Sequence, residues 1–558
     1  MKLENYVPFS AADRLEEIRE MEKSTFDLLI IGGGATGCGI ALDAATRGLK
    51  VALIEKGDFA SGTSSKSTKL IHGGLRYLKQ LDIALVRETG TERAVVHRLA
   101  PHLVLPEKML LPLIKGGTYG KWSTSFGLMI YDILAGVDRT DRRKMLSKKA
   151  TLTLEPLLNE ETVKGSGFYA EYRTDDARLT IELIKMAHQY GAKAINYCEL
   201  VDFLYDDGRI VGAQCKNQLD AKHFSIKATK IVSAGGPWVD QVRQMDGSLS
   251  GKRLHLTKGV HIVVPHEKLP LQHSIYFDVP DGRMIFAIPR GKVTYIGTTD
   301  TNYKGRLDRV VVTKTDANYL LEAVNNAFPA IHLTIDDISS NWAGLRPLIH
   351  EDGKDPSELS RKDEIFISAS GLISIAGGKL TGYRRMAQRI VDLVAKEIMA
   401  ESKQSFDACK TKKINLTPNT FSNAKAVQAY IQTLEKKMPA LGLTAYEAWY
   451  LTTVYGMQLE AILTKMKEFS SDRPSTALAR AEAWFTVHFE KVASASDFFV
   501  RRTGRLYFDI ESIKEVRTMV MKDLQAYLNW DSDRLAKEEA ILDALLYDAT
   551  HYYEEELS

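Results

Sequence analysis

The sequence predicts an α/β protein in three parts. These are a doubly wound, mainly parallel sheet domain built from discontinuous segments, an antiparallel β-rich domain, and an all-α C-terminal domain. Three observations predict it. Apolar runs at 28–31, 231–234 and 372–376 each stop at glycine and pass into a helical pattern, as parallel strands feeding helices do. Residues 254–345, between the second and third runs, favour β-structure and carry a hairpin signal. Beyond about Lys413 the apolar residues recur at helical spacing instead.

Residues 11–23 (AADRLEEIREMEK) read as a short charged helix leading into the first strand. The apolar run ending at Ile31 breaks into Gly32, Gly34 and Gly37, and a helical pattern follows until Gly48. A second apolar run closes on Glu55, 18 residues beyond Gly37. This is a strand–turn–helix–strand dinucleotide fingerprint. Gly32 permits the tight turn, Gly34 lets backbone approach a pyrophosphate, and Gly37 lets helix and strand pack closely. Free N–H groups at the helix start suit phosphate, and Glu55 suits the ribose hydroxyls. The charge of Glu55 would repel a 2′-phosphate, which leaves NAD or FAD.

A polar loop, GDFASGTSSKSTK, precedes IHGGLRYL at 71–78, and residues 82–100 look helical. KIVSAGGPWVDQV carries a strand into Gly235 and Gly236, with a helix from Trp238. RMIFAIP and VTYIGTTD flank Arg290-Gly291-Lys292 as a hairpin. The third glycine turn, Gly377-Gly378, opens a long helix. Near the C-terminus Ile513, Val516, Val520, Leu524 and Tyr527 share one helical face, and Asp531 or Ser532 can cap a further helix to Tyr547. The expected parts are therefore 24–100, 165–250 and 346–400 for the nucleotide domain, 101–164 and 251–345 for the second domain, and 413–558 for the helical domain.

With 558 residues the chain needs more than one core. Its 44% hydrophobic and 26% charged content is that of an ordinary globular protein, and a formal net charge of +3 points to no nucleic-acid partner. Cys38, Cys198, Cys215 and Cys409 form no CxxC pair, so four buried free thiols are expected. His, Cys, Asp and Glu spacing predicts no metal site. The charged N-terminal segment is no secretory leader, and no apolar run reaches the ~18 residues that span a bilayer. The expectation is a cytoplasmic protein, or one attached to a membrane surface without crossing it.

NAD needs a single fingerprint, whereas FAD is longer and needs partners for its flavin end far from the first glycines. The Gly377-Gly378 turn can supply them. Its N–H groups and the positive helix end would stabilise charge on a reduced flavin, with Lys379 adding to this and Leu380 and Thr381 following. Ser64, Ser65, Ser67 and Lys69 offer hydroxyls, amides and charge to the pyrophosphate. Together with Gly235 these positions favour FAD, held by a Rossmann-like domain.

Five segments carry a closer resemblance: SSKSTKLIHGGLRYL at 64–78, KGVHIVVP at 258–265, IGTTD at 296–300, GLRPL at 344–348 and AGGKLTGYR at 376–384. With the fingerprint and the helical C-terminus, the chain resembles FAD-dependent glycerol-3-phosphate dehydrogenase over nearly its whole length. Gly382 departs from the family, where many relatives carry Thr. The resemblance implies oxidation of sn-glycerol 3-phosphate to dihydroxyacetone phosphate, with the C2 hydride passing to N5 of a non-covalently bound FAD. It also gathers Arg76, Tyr77, Arg346, Arg361 and Lys379 around the substrate, with His72 near the flavin. Arginine suits the phosphate dianion because its planar fork makes paired, charge-assisted hydrogen bonds. His261, in the apolar strand VHIVV, is the leading proton acceptor, since an unperturbed imidazole titrates near pH ~6.5. Arg346 could instead polarise the substrate hydroxyl, and Lys379 completes the catalytic set.

The family delivers electrons to a membrane quinone. Residues 108–149 carry 9 Lys/Arg against 3 Asp beside MLLPLI at 109–114 and FGLMIYDILAGV at 126–137. That combination suits peripheral contact with anionic lipid at the cytoplasmic face; the alternative is a packed helix with a solvated basic edge. The family's oxidases carry an insertion that this chain lacks, which favours the dehydrogenase over an oxidase making hydrogen peroxide. An amine or amino-acid oxidase, and a protein that holds FAD without turnover, are the remaining alternatives. A homodimer stays open.

Overall fold

A computed structural model describes residues 6–71, 83–117, 143–350 and 363–557. The three apolar runs become neighbouring parallel strands. Thr25–Ile31 lies between Val51–Ile54 and His223–Ser233, and Leu372–Gly377 pairs with the far side of His223–Ser233. Lys193–Ile195 continues the parallel set beyond Val51–Ile54, while Asp363–Ile367 closes the other edge antiparallel. Two more strands, Cys198–Asp206 and Arg209–Asn217, pair antiparallel with each other, and the second joins the start of His223–Ser233.

Strand alternation explains the continuous apolar runs. Leu28, Ile30, Leu53, Val232 and Ile373 face one core, against helices Ala35–Thr46, Asp176–Gln189 and Tyr383–Ser402. Leu29, Ile31, Ile54, Ile231 and Leu372 face the other, under the 198–217 strand pair and helix Arg14–Lys23. Both faces are covered, so no position needs a polar side chain. Register then decides where the turns go. Ile31 pairs with Ser233 and Ser233 with Ser374, so all three glycine turns emerge at one edge of the sheet.

The second sheet has ten strands, nearly all antiparallel. At its centre Leu254–Pro265 runs between Ser340–Ile349 and Val293–Gly297. The expected hairpin is present, with Arg290 paired to Val293 and Gly291 turning at φ +59°. Residues 109–114, for which a packed helix is the alternative expectation, are instead part of strand Leu105–Ile114. Pro112 lacks the N–H that a helix interior needs, and Met109, Leu110 and Leu111 are buried in the sheet. The expected boundaries at 164/165 and 345/346 fall inside Val163–Arg173 and Ser340–Ile349, two strands of this sheet.

Beyond residue 413 the regular elements of the described chain are helical. Helix Ile510–Leu528 buries Ile513, Val516, Val520 and Leu524 against helix Pro474–Phe489, in a core that continues to Val263, Ile288 and Trp342 of the second sheet. Asp531 caps helix Ser532–Thr550 by accepting from the N–H of Arg534. The four cysteines are free; Cys409 is only half-buried, beside the Arg384 guanidinium, where burial was expected. Among the described residues no helix is long and apolar enough to cross a membrane.

Candidate active site

The shared edge of the glycine turns opens on a cavity of ≈ 320 Å³, lined by Gly32, Gly34, Glu55, Ser64, Ser67, Gly235 and Gly377–Leu380. The fingerprint glycines are there for space. Gly32 sits at φ +110°, and a β-carbon on Gly37 would collide with the Gly32 carbonyl oxygen. Helix Ala35–Thr46 starts at this edge, and the Ser64 hydroxyl accepts from the N–H of Ala35 at 3.0 Å. Glu55 stands opposite, its carboxylate accepting from Gly33 N–H at 2.7 Å and Gly57 N–H at 2.8 Å. Burial pushes its carboxyl up from the usual range while those N–H groups pull it down. Each oxygen keeps acceptor capacity for a ribose hydroxyl.

At the other end Gly377 and Gly378 adopt φ +76° and +79°, and a β-carbon on Gly378 would stand 2.5 Å from Met386 Sδ. A short 3₁₀ turn, Leu380–Gly382, intervenes before helix Tyr383–Ser402. Thr381 is buried within that turn, and Lys379 precedes it in extended conformation. A second cavity of ≈ 350 Å³ shares Lys56, Gly62, Thr63, Pro237 and Trp238 with the first. Trp238 Nε1 is buried with no partner among the described residues. A long cleft with glycine turns at both ends, a ribose-type carboxylate and an unpaired buried donor fits an extended dinucleotide such as FAD.

Lys69 of the polar loop is not placed as its residue type suggests. Lys69 is 2 % exposed and its ammonium is held by Asp176 at 2.5 Å and by the Ser65 carbonyl at 3.0 Å. Asp176 also accepts from Ser67 N–H at 3.0 Å. Lys69 therefore shapes the loop from behind. Ser65 is buried, while Ser64 and Ser67 line the cavity.

Next to this loop the second sheet presents His261 and Arg346. His261 Nε2 lies 3.0 Å from Thr68 Oγ1, and its ring stacks on Trp342 at 4.7 Å and 11°. Burial, then the nearby charges of Arg346 and Lys69, hold the imidazole well below its ordinary value. It is neutral at physiological pH, and its Nδ1 has no partner among the described residues. Arg346 donates to Thr298 Oγ1 at 2.8 Å and to the Thr299 carbonyl at 3.1 Å, with Asp300 at 3.3 Å. Its neighbour Pro347 lines the cavity. His72, Arg76, Tyr77 and Arg361 lie outside the described residues.

The sequence models of two families match the chain: "FAD dependent oxidoreductase" over residues 27–384 and "C-terminal domain of alpha-glycerophosphate oxidase" over 409–535. The aerobic glycerol-3-phosphate dehydrogenase of Bacillus subtilis (strain 168) is 48% identical over 97% of this chain and 98% of its own length. The chain belongs to the aerobic glycerol-3-phosphate dehydrogenase family. The aerobic glycerol-3-phosphate dehydrogenase of Staphylococcus aureus (strain USA300) is 46% identical, over 96% of both chains. Among solved structures, the glycerol-3-phosphate dehydrogenase of Bacillus halodurans complexed with FAD superposes with TM-score 0.82 at 42% identity, covering 97% of this chain and 99% of its own. The Mycoplasma pneumoniae L-alpha-glycerophosphate oxidase shares the fold, with TM-score 0.56 at 20% identity over 71% of this chain and 98% of its own.

The residue-by-residue reading of the sequence missed two glycines of this dehydrogenase family member. A β-carbon on Gly259 would stand 2.5 Å from Arg346 Cζ, and one on Gly297 would fall on the His261 ring. Both lie inside strands, and glycine in a strand interior was the available signal of close approach. Asp176, opposite Lys69, carried no such signal.

Proposed function

We propose that the chain oxidises sn-glycerol 3-phosphate to dihydroxyacetone phosphate and passes the electrons to a membrane quinone. The observation that carries the first part is the pairing of a neutral buried imidazole, His261, with a fixed guanidinium, Arg346, beside a cleft shaped for FAD. Bound FAD supplies the acceptor for the C2 hydride. The chain's own residues supply the rest. Gly32, Gly34 and the Ala35 helix start would hold the pyrophosphate, Glu55 the ribose, and the Gly377–Thr381 turn the flavin end. His261 accepts the hydroxyl proton, its imidazole held unprotonated by burial and by the nearby charges of Arg346 and Lys69. Arg346, oriented by Thr298 and Thr299, presents its charge to the hydroxyl oxygen or the phosphate. Arg76, Arg361 and Lys379 complete the cationic side of the site.

The test is anaerobic mixing of the yellow holoenzyme with glycerol 3-phosphate, glycerol and amino acids. Flavin absorbance should bleach with glycerol 3-phosphate alone; no bleaching by it would sink the proposal. Quinone as acceptor, and attachment to the cytoplasmic face of the membrane, draw on the excess of Lys and Arg in 108–149. Reoxidation of the bleached enzyme should be faster with a quinone analogue than with oxygen, and the protein should sediment with anionic vesicles. The reverse order of rates would favour an oxidase.

A further inference from the structure

The helical domain reaches the loop beside the nucleotide cleft through a buried carboxylate, with Tyr197, which donates to Asp497, alongside it. Asp58 lies three residues past Glu55, is 1 % exposed, and accepts from four donors. Arg501 Nε at 2.5 Å and Arg502 Nη1 at 2.7 Å share its Oδ2; Arg502 Nη2 at 3.0 Å and Asn196 Nδ2 at 3.1 Å share its Oδ1. Both arginines come from the turn Asp497–Arg502 of the helical domain. Arg501 also donates to Asp497, which accepts from the Tyr197 hydroxyl, and to Ser496, while Arg502 donates to the Glu490 carbonyl.

On its other side the same loop closes on the cofactor cleft. Gly57 N–H donates to Glu55 Oε1, Tyr197 N–H donates to the Gly57 carbonyl at 2.7 Å, and Ala60 N–H donates to the Gly33 carbonyl at 3.0 Å. The loop thus ties Glu55 and Gly33, two parts of the nucleotide fingerprint, to whatever holds Asp58. Asp58 itself is not among the residues that line the cleft. Burial pushes its carboxyl up, and the two guanidinium groups outweigh burial and hold it at about 2, so it is ionised throughout the working range.

We infer that Asp58, Arg501 and Arg502 form a positioning lock through which the helical domain holds the Glu55 loop in the shape that retains FAD. The inference deepens the FAD reading of the cleft and rests on it. Losing one charge of the lock leaves buried partners uncompensated and lets the loop relax, and the cost appears as faster cofactor loss rather than altered chemistry.

The test follows FAD release from the diluted full-length holoenzyme by flavin fluorescence, with substrate KM measured in parallel. Asp58→Asn should release FAD about tenfold faster, the activity lost on dilution should return on adding free FAD, and Arg501→Lys should fall between wild type and Arg501→Gln. Glu482→Gln is the control. Glu482 is buried inside the helical domain, accepts from Arg505, Tyr450 and Tyr455, and has no hydrogen bond to the loop among the described residues. It should lower Tm without changing FAD release. Wild-type release in Asp58→Asn and Arg501→Gln, or equal acceleration in Glu482→Gln, would overturn the lock. If Asp58→Asn does not fold, Arg501→Gln decides alone, because Arg502 still pairs with Asp58. A wild-type protein that never takes up FAD would defeat the FAD reading itself, a distinct result.

Discussion

The guanidinium of Arg346 rests on the backbone of Gly259, two residues along the neighbouring strand from its own register partner Thr257. From there it reaches Thr298 and Thr299 on the next turn of chain. Gly259 is thus a floor whose value lies in its lack of a side chain. Gly259→Ala should lift Arg346 from these partners. Reduction of bound flavin by glycerol 3-phosphate should slow at least about tenfold, while FAD content stays at wild-type level. Unchanged reduction kinetics in stopped flow would remove Arg346 orientation from the mechanism.

Removing the proposed proton acceptor should cost more. His261→Asn keeps a polar group beside Thr68 and should lower the reduction rate by roughly 10²–10⁴. Its pH behaviour is the sharper check. Because burial lowers the imidazole far below 6.5, the group stays neutral as pH falls through 6.5, and kcat/KM should show no acid limb there. A wild-type limb centred near 6.5 that vanishes in His261→Asn would contradict this environment.

His102 offers a stability prediction apart from the chemistry. It is fully buried near Phe421 and against Gly456, with neither ring nitrogen partnered among the described residues. Burial, then Arg178 and Lys185, lowers it to about 3. The unfolded chain takes up this proton near 6.5 and the folded chain does not until about 3. Stability present above 6.5 is therefore lost as pH falls towards 3, by up to about 1.4 kcal/mol per pH unit. His102→Leu should flatten the dependence of urea midpoint on pH between 6 and 4 relative to wild type. Parallel curves for the two proteins would assign the acid sensitivity elsewhere.

Gly37→Ala tests the fingerprint as packing rather than as motif. The added methyl meets the Gly32 carbonyl, which is backbone and cannot rotate away. The helix start must move, at a cost of about 1–3 kcal/mol or more, and with it the N–H groups that face the cleft. The purified variant should carry little flavin by its absorbance ratio. Full flavin content would mean that this contact relaxes without disturbing the cleft.

The alternation that splits Leu28 and Ile30 from Leu29 and Ile31, the glycines that end three strands, and the helical face of Ile513 to Leu524 are all written within a few turns of chain. Local spacing and backbone sterics set them, so the parallel sheet, its turn edge and the helical C-terminus are legible in the order of residues alone. Pro112 is equally legible as a signal against a helix in 109–114.

What the tertiary structure decided is which side chains meet. Lys69 and Ser64 sit in one polar loop, yet Lys69 turns to Asp176, 107 residues away, and Ser64 to the fingerprint helix. Asp58 answers Arg502 across 444 residues. Gly259 and Gly297 gain meaning only when Arg346 and His261 arrive over them. The ordinary pKa expected of His261 gave way for the same reason, since burial and neighbouring cations are properties of the packed protein. The sequence by itself determined the elements and the cleft they line up, because those depend on neighbours along the chain. Partners, charge states and the close approaches on which function depends were decided by packing, because they join residues that only the folded chain brings together.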